Sequence, residues 1–248
     1  MSKRAASPTH AMTPSKIRRL ETEAPSFAWK QLTVIVGVGD DEKTFYLHED
    51  IVKNQSDFFA AALNKGWKEA EDGIVRLPTE APAHFEVFAR FVYFGKIYAA
   101  KAKPGGEDRE ALAARVGQEV EMLCDCWIMG DRLMAVGFKD AVLDAITQLI
   151  RDEWQSPLDL HTKVYPRTAG PNGLRRLLVD VAVWGWQTDV LPACEMDASW
   201  MEFFRDVAVR AQEAREAQDV MSPPFVGDGC AYHEHVAAGK LCYRSRSL

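Results

Sequence analysis

The sequence lacks the features that mark several large protein classes. No apolar run is long enough to span a bilayer, and the N-terminus has no apolar core of the signal-peptide kind, so neither membrane insertion nor secretion is expected. The 5 cysteines (Cys124, Cys126, Cys194, Cys230 and Cys242) are odd in number and irregularly spaced. That argues against a secreted disulfide framework and for a reducing compartment. Positive charge is not in excess: 30 Lys and Arg stand against 36 Asp and Glu, a formal net charge of -6. The chain as a whole is therefore not expected to bind nucleic acid directly. There is no Walker-type Gly-Lys-Ser/Thr loop, and Gly37-Val38-Gly39 is followed by no third glycine at the dinucleotide spacing. No nucleophile with its base and no acid pair is recognisable, so an enzyme is not expected.

What is present is ordinary for a globular chain. Of 248 residues, 47% are hydrophobic and 27% charged, enough for one large domain or two small ones. Residues 1–25 differ: they are poor in aromatics and rich in Ser, Thr, Pro and basic residues. Such a segment cannot bury enough apolar surface to offset its ordering entropy, and it reads as a disordered tail. Lys3 and Arg4, then Lys16, Arg18 and Arg19, form two basic clusters resembling a bipartite nuclear-import signal. A solvated basic tail is the alternative, so the expected location is nuclear or cytoplasmic.

Order should begin near Phe27. Leu32 to Val36 is β-branched and apolar, Gly37 to Asp41 is turn chemistry, and Lys43 to Leu47 alternates, which together predict a β-hairpin. A short helix over 50–54 follows. Ser56 is placed to N-cap a second helix carrying Phe58, Phe59, Ala62 and Leu63. Gly73 to Leu77 reads as a third strand. Phe85, Phe88 and Val92 recur at helical spacing, with Gly95 as the stop. Two amphipathic helices, around Trp127 and around Val142, come next, and two more carry Leu174 to Trp184 and about Ala198 to Gln218. The expected fold is α/β: a small sheet packed by helices, with an all-helical C-terminal extension. The expected divisions are a tail over 1–25, an α/β domain over 26–152, a helical region over 153–220 and a Cys- and His-containing tail over 221–248.

Several segments in this order resemble the BTB/POZ family. They are Tyr46-Leu47-His48-Glu49-Asp50-Ile51-Val52, then Ser56 and Phe58-Phe59; Trp67-Lys68-Glu69 followed by Ile74 to Pro78; and Phe85 to Phe88, running through Phe91 to Tyr98. The likeness covers roughly residues 27 to 151 and is nearest to fungal members. No single motif is specific, but their order and spacing together are. The resemblance implies a protein-interaction module that self-associates as a homodimer or acts as a substrate adaptor on a cullin-type ubiquitin ligase scaffold. It also implies a partner-binding role for Trp67 and Glu69, since family adaptors carry an apolar residue, any residue and Glu at this place. Trp67 closing the edge of the core is the competing role. A nuclear dimerisation or scaffold protein without cullin binding is the alternative function. Gln31 stands where many family members place an Asp in a charged groove at the dimer interface, which puts that groove in doubt. His48 is expected to cap and pack the first helix, and Phe58, Phe59, Phe85, Phe88 and Phe91 to be mostly core.

Two further groups bear on chemistry. Cys124 and Cys126 sit in an apolar helix and are expected to be buried free thiols. Cys230, His233, His235 and Cys242 offer two thiolates and two imidazoles, the donor set of a tetrahedral structural zinc site. Their spacing is not that of the common fingers, so incidental residues of a docked or disordered tail remain the alternative. A zinc-dependent enzyme is the remotest possibility, because Glu234 is the only evident general base nearby.

Overall fold

The computed structural model describes residues 30–64, 72–103, 105–153, 160–186, 198–217, 223–227 and 230–245. The basic clusters at Lys3, Arg4, Lys16, Arg18 and Arg19, and also Trp67, Glu69 and Cys194, lie outside the described residues.

The protein is mixed α/β, with a three-stranded sheet and eight α-helices among the described residues. β1 (Gln31–Val36) is the central strand, and its Leu32, Val34 and Val36 face inward while the alternate positions are more exposed. β2 (Lys43–His48) pairs antiparallel to it, Gln31 opposite His48 and Val36 opposite Lys43. Gly37 and Gly39 take positive φ in the connecting turn, so this glycine pair serves the hairpin. α1 (Glu49–Gln55) and α2 (Asp57–Ala62) follow, and the chain returns as β3 (Ile74–Leu77), parallel to β1 on its other side. A parallel neighbour needs such a crossover, since a tight turn can only reverse the chain.

Ser56 does what its type suggests: its Oγ accepts from the Phe59 amide at 3.2 Å. The same hydroxyl donates to the carbonyl of Leu133 at 2.5 Å, tying α2 to a turn that lies 77 residues on. α3 (Pro82–Phe94) begins with Pro at its first position and ends at Gly95, whose φ of 60° is left-handed. α4 (Arg109–Arg132) and α5 (Val136–Glu153) form a helical hairpin, with α4 packed on α3. A Cβ on Gly130 would stand 2.9 Å from the ring of Phe138, so only glycine lets the two helices approach this closely. Phe59 stacks on Phe88 at 6.3 Å, and Phe88 meets Phe138 edge-on at 5.2 Å, joining α2, α3 and α5 in one aromatic core.

Phe59, Phe85, Phe88 and Phe91 are buried as expected, but Phe58 is only partly so. Adjacent residues on a helix point about 100° apart, so a paired aromatic on a short helix commits one ring to the core and leaves the other at its margin. His48 occupies the N-cap position of α1 but makes no side-chain capping bond. Its Nδ1 lies 2.8 Å from the hydroxyl of Tyr93, which also accepts from the His48 amide at 3.0 Å. Cys124 and Cys126 are both buried and unbridged. They face different directions on α4, yet both are enclosed because the stretch from Leu123 to Gly130 is covered on nearly every side.

α6 (Leu160–Val164), α7 (Gly173–Gly185) and α8 (Ala198–Glu216) complete the helices. Asn172 N-caps α7, its Oδ1 accepting from the Arg175 amide at 3.0 Å. The buried apolar cluster continues from the sheet through α5 into α7, α8 and Tyr232 of the C-terminal segment. No helix among the described residues is long and apolar enough to cross a membrane.

Candidate metal centre

Residues 230–245 form a succession of turns rather than the extended strand that would align His233 and His235 by alternation. The His233 amide donates to the Cys230 carbonyl at 3.1 Å, that of Lys240 to His235 at 2.8 Å, and that of Ser245 to Cys242 at 3.0 Å. These turns fold the segment back on itself. Cys230, His233, His235 and Cys242 present one ligand atom each, all within 4.8 Å of one another. Both imidazoles are buried, Cys242 is half-buried and Cys230 exposed, so the cluster lies at the rim of the protein.

α5 positions this cluster. Asp140 and Asp144 are one helical turn apart and share a face. The Asp140 carboxylate is fully buried. It accepts from the amides of Glu234 at 2.7 Å and His235 at 3.3 Å, and lies 2.8 Å from Nδ1 of His235. Asp144 lies 3.0 Å from Nε2 of His233 and accepts from Arg244 at 2.6 Å and from the Tyr243 hydroxyl. Burial opposes ionisation of Asp144, but these bonds outweigh it and hold its carboxyl below the usual carboxylate range. Nδ1 of His233 is thus left facing Cys242 Sγ, at 3.8 Å. The Cys230 and Cys242 sulfurs are 3.9 Å apart, so they are not bonded to each other. Desolvation, and then the neighbouring thiol, push the Cys230 thiol up from its ordinary value.

The flanks of the segment are pinned as well. The Tyr232 hydroxyl donates to Asp180 on α7 at 2.7 Å. Glu234 accepts from the Gly173 amide at 2.7 Å and from Lys139 at 2.5 Å. Burial would lower the Lys139 ammonium, but its bonds to Asp131 and Glu234 prevail and raise it. With both oxygens engaged, Glu234 is a structural tie and is poorly placed to act as a general base. Lys240 reaches across to Asp57 on α2 at 2.6 Å.

All four residues singled out from the sequence therefore converge. Asp140 and Asp144 were missed. Their signal was two carboxylates spaced i, i+4 among the apolar residues of α5, the first of them beside Lys139. Gln31, the residue in place of the expected Asp, is exposed at the start of β1. No protein-family model and no curated protein matches this chain.

Proposed function

We propose that the chain is a protein-interaction module of the BTB/POZ kind, working by self-association or as the substrate adaptor of a cullin-type ubiquitin ligase scaffold. What supports this most is that the motif residues carrying the resemblance meet in space. His48 and Tyr93, 45 residues apart, share a hydrogen bond, while Ser56, from the same motif, caps the helix whose Phe59 stacks on Phe88. Residues that recur together in a family pattern for structural reasons should touch, and these do. The proposal includes no catalytic step. Trp67 and Glu69 would contact the scaffold, with Trp as the anchor because it buries a large area at low entropic cost.

Two experiments test it. Affinity capture of the full chain from its native cells, followed by mass spectrometry, should recover a cullin. The Trp67→Ala chain, if folded, should bind it more weakly by about 2 kcal/mol, roughly 30-fold. Light scattering on the eluting protein reads self-association. A chain that dimerises but captures no cullin would point to the nuclear scaffold alternative, and one that does neither would end the proposal.

A further inference from the structure

We propose that Cys230, His233, His235 and Cys242 are the ligands of a structural zinc ion, which fastens the C-terminal turns across α5 and the start of α7. This stands independently of any partner the module binds.

Two of the donor-to-donor distances match the edges of a zinc tetrahedron, and all of them lie within 4.8 Å. Zinc bonds sulfur at about 2.3 Å and imidazole nitrogen at about 2.0–2.1 Å, which sets ligand-to-ligand edges of about 3.8 Å between sulfurs and about 3.6 Å between sulfur and nitrogen. The structure has 3.9 Å between the two sulfurs and 3.8 Å between Cys242 Sγ and His233 Nδ1. A disulfide would bring the sulfurs to about 2.0 Å, and the four donors that would share a zinc ion all lie within 4.8 Å of one another.

The outer contacts are an independent observation. Each imidazole has one ring nitrogen committed to a carboxylate, His233 Nε2 to Asp144 and His235 Nδ1 to Asp140. That fixes the tautomers: the proton sits on the carboxylate side, and the lone pairs of His233 Nδ1 and His235 Nε2 are left for a metal. Such orienting carboxylates are the usual companions of histidine ligands. They also answer a question of charge. Asp140 is fully buried, and its ion-pair partners among the described residues are the two imidazoles. Zinc polarises the rings that hold it, so their N–H groups donate more strongly to the buried carboxylate, while the two thiolates balance the charge of the ion itself.

The donor set selects the metal class. Two thiolates and two imidazoles suit zinc, whereas calcium and magnesium take oxygen. Four protein ligands close the coordination sphere, and Glu234 is already bonded at both oxygens, so the site is fit for holding structure and unsuited to activating water. The segment is held by polar ties more than by apolar burial. Tyr232 is its one large buried apolar side chain, while Val236 and Leu241 are 77% and 76% exposed. Burial alone offers little to hold these turns in place.

The test uses the full chain, purified without chelator and assayed for metals by elemental mass spectrometry. One zinc per chain is expected, with cobalt substitution giving the visible absorption of a tetrahedral thiolate site. Cys230→Ser should lose the metal. Should that variant fail to fold, Asp144→Asn keeps all four ligands and should weaken zinc about 10- to 100-fold in competition with a chromophoric chelator. A metal-free chain that takes up no zinc when it is added at micromolar concentration, and whose melting is unmoved by chelator, would overturn the assignment. So would a Cys230–Cys242 disulfide in protein isolated under reducing conditions.

Discussion

Replacing Gly173 with alanine should unseat the C-terminal turns while leaving the helices intact. Gly173 is the first residue of α7, and an added Cβ would overlap the carbonyl oxygen of Tyr232 and stand 2.7 Å from Leu143 Cδ1. Neither neighbour can easily retreat. Leu143 is buried on α5, and Tyr232 is anchored through its hydroxyl to Asp180 at 2.7 Å. Overpacking of this kind costs about 1–3 kcal/mol. The helix itself gains from the change, because Ala is favoured over Gly by up to about 1 kcal/mol. The strain therefore falls on the seating of residues 230–245, and the protein relieves it by releasing them. At 1.4 kcal/mol per tenfold, the released state should rise about 5- to 150-fold. The assay is amide hydrogen exchange. The amides of Glu234 and His235, which donate to Asp140, should exchange faster by that factor, while those of β1 and α3 stay at the wild-type rate. Wild-type protection at Glu234 and His235 in the Gly173→Ala chain would refute the contact as described.

Other perturbations separate core from margin. Phe88→Ala should lower stability by about 3–5 kcal/mol in chemical denaturation, whereas Phe58→Ala, at the margin of the same cluster, should lose only about 1–1.5 kcal/mol. Equal losses would contradict the different burial of the pair. Ser56→Ala removes both a helix cap and the donor to Leu133, and should cost about 1 kcal/mol for the first and a further 1–3 kcal/mol for the stranded carbonyl. The Ser56→Thr chain, which keeps the hydroxyl, should recover most of that loss. In metal-free native protein, a thiol reagent with peptide mapping should modify Cys230 and Cys242 and spare Cys124 and Cys126. Burial, and then the charge of Asp125, push the Cys126 thiol up to about 12, and burial drives that of Cys124 higher still.

The strands and helices were legible because their signals are local. Leu32, Val34 and Val36 alternate, Phe85, Phe88 and Val92 recur at helical spacing, and Ser56 and Gly95 sit where a cap and a stop are needed. The four residues of the candidate metal centre were legible because Cys and His are uncommon and these lie close together in the chain. What failed to show was long-range. Asp140 comes 94 residues before the Glu234 amide it receives, and nothing near either residue in sequence announces the other. The ring of His48 was expected to serve its own helix, yet its hydrogen bond runs to Tyr93 on α3. Phe58 was placed in the core with Phe59 because a pattern of paired aromatics does not say which ring turns inward.

The 94-residue separation between Asp140 and Glu234 also has a bearing on synthesis. At about 5–20 residues per second, α5 leaves the ribosome roughly 5–20 s before the turns that cover it. During that interval a nascent chain exposes the face that will receive them. That face carries Lys139, Asp140, Asp144 and Thr147 beside Leu143, so what waits uncovered is mostly charged and hydrated, while Phe138 packs against Phe88 and Phe91, which are made earlier. A surface of that composition is a poor seed for aggregation. The polar seam between helix and tail, which adds little hydrophobic stabilisation to the finished protein, lets the two halves of the site be made at different times without harm to the first.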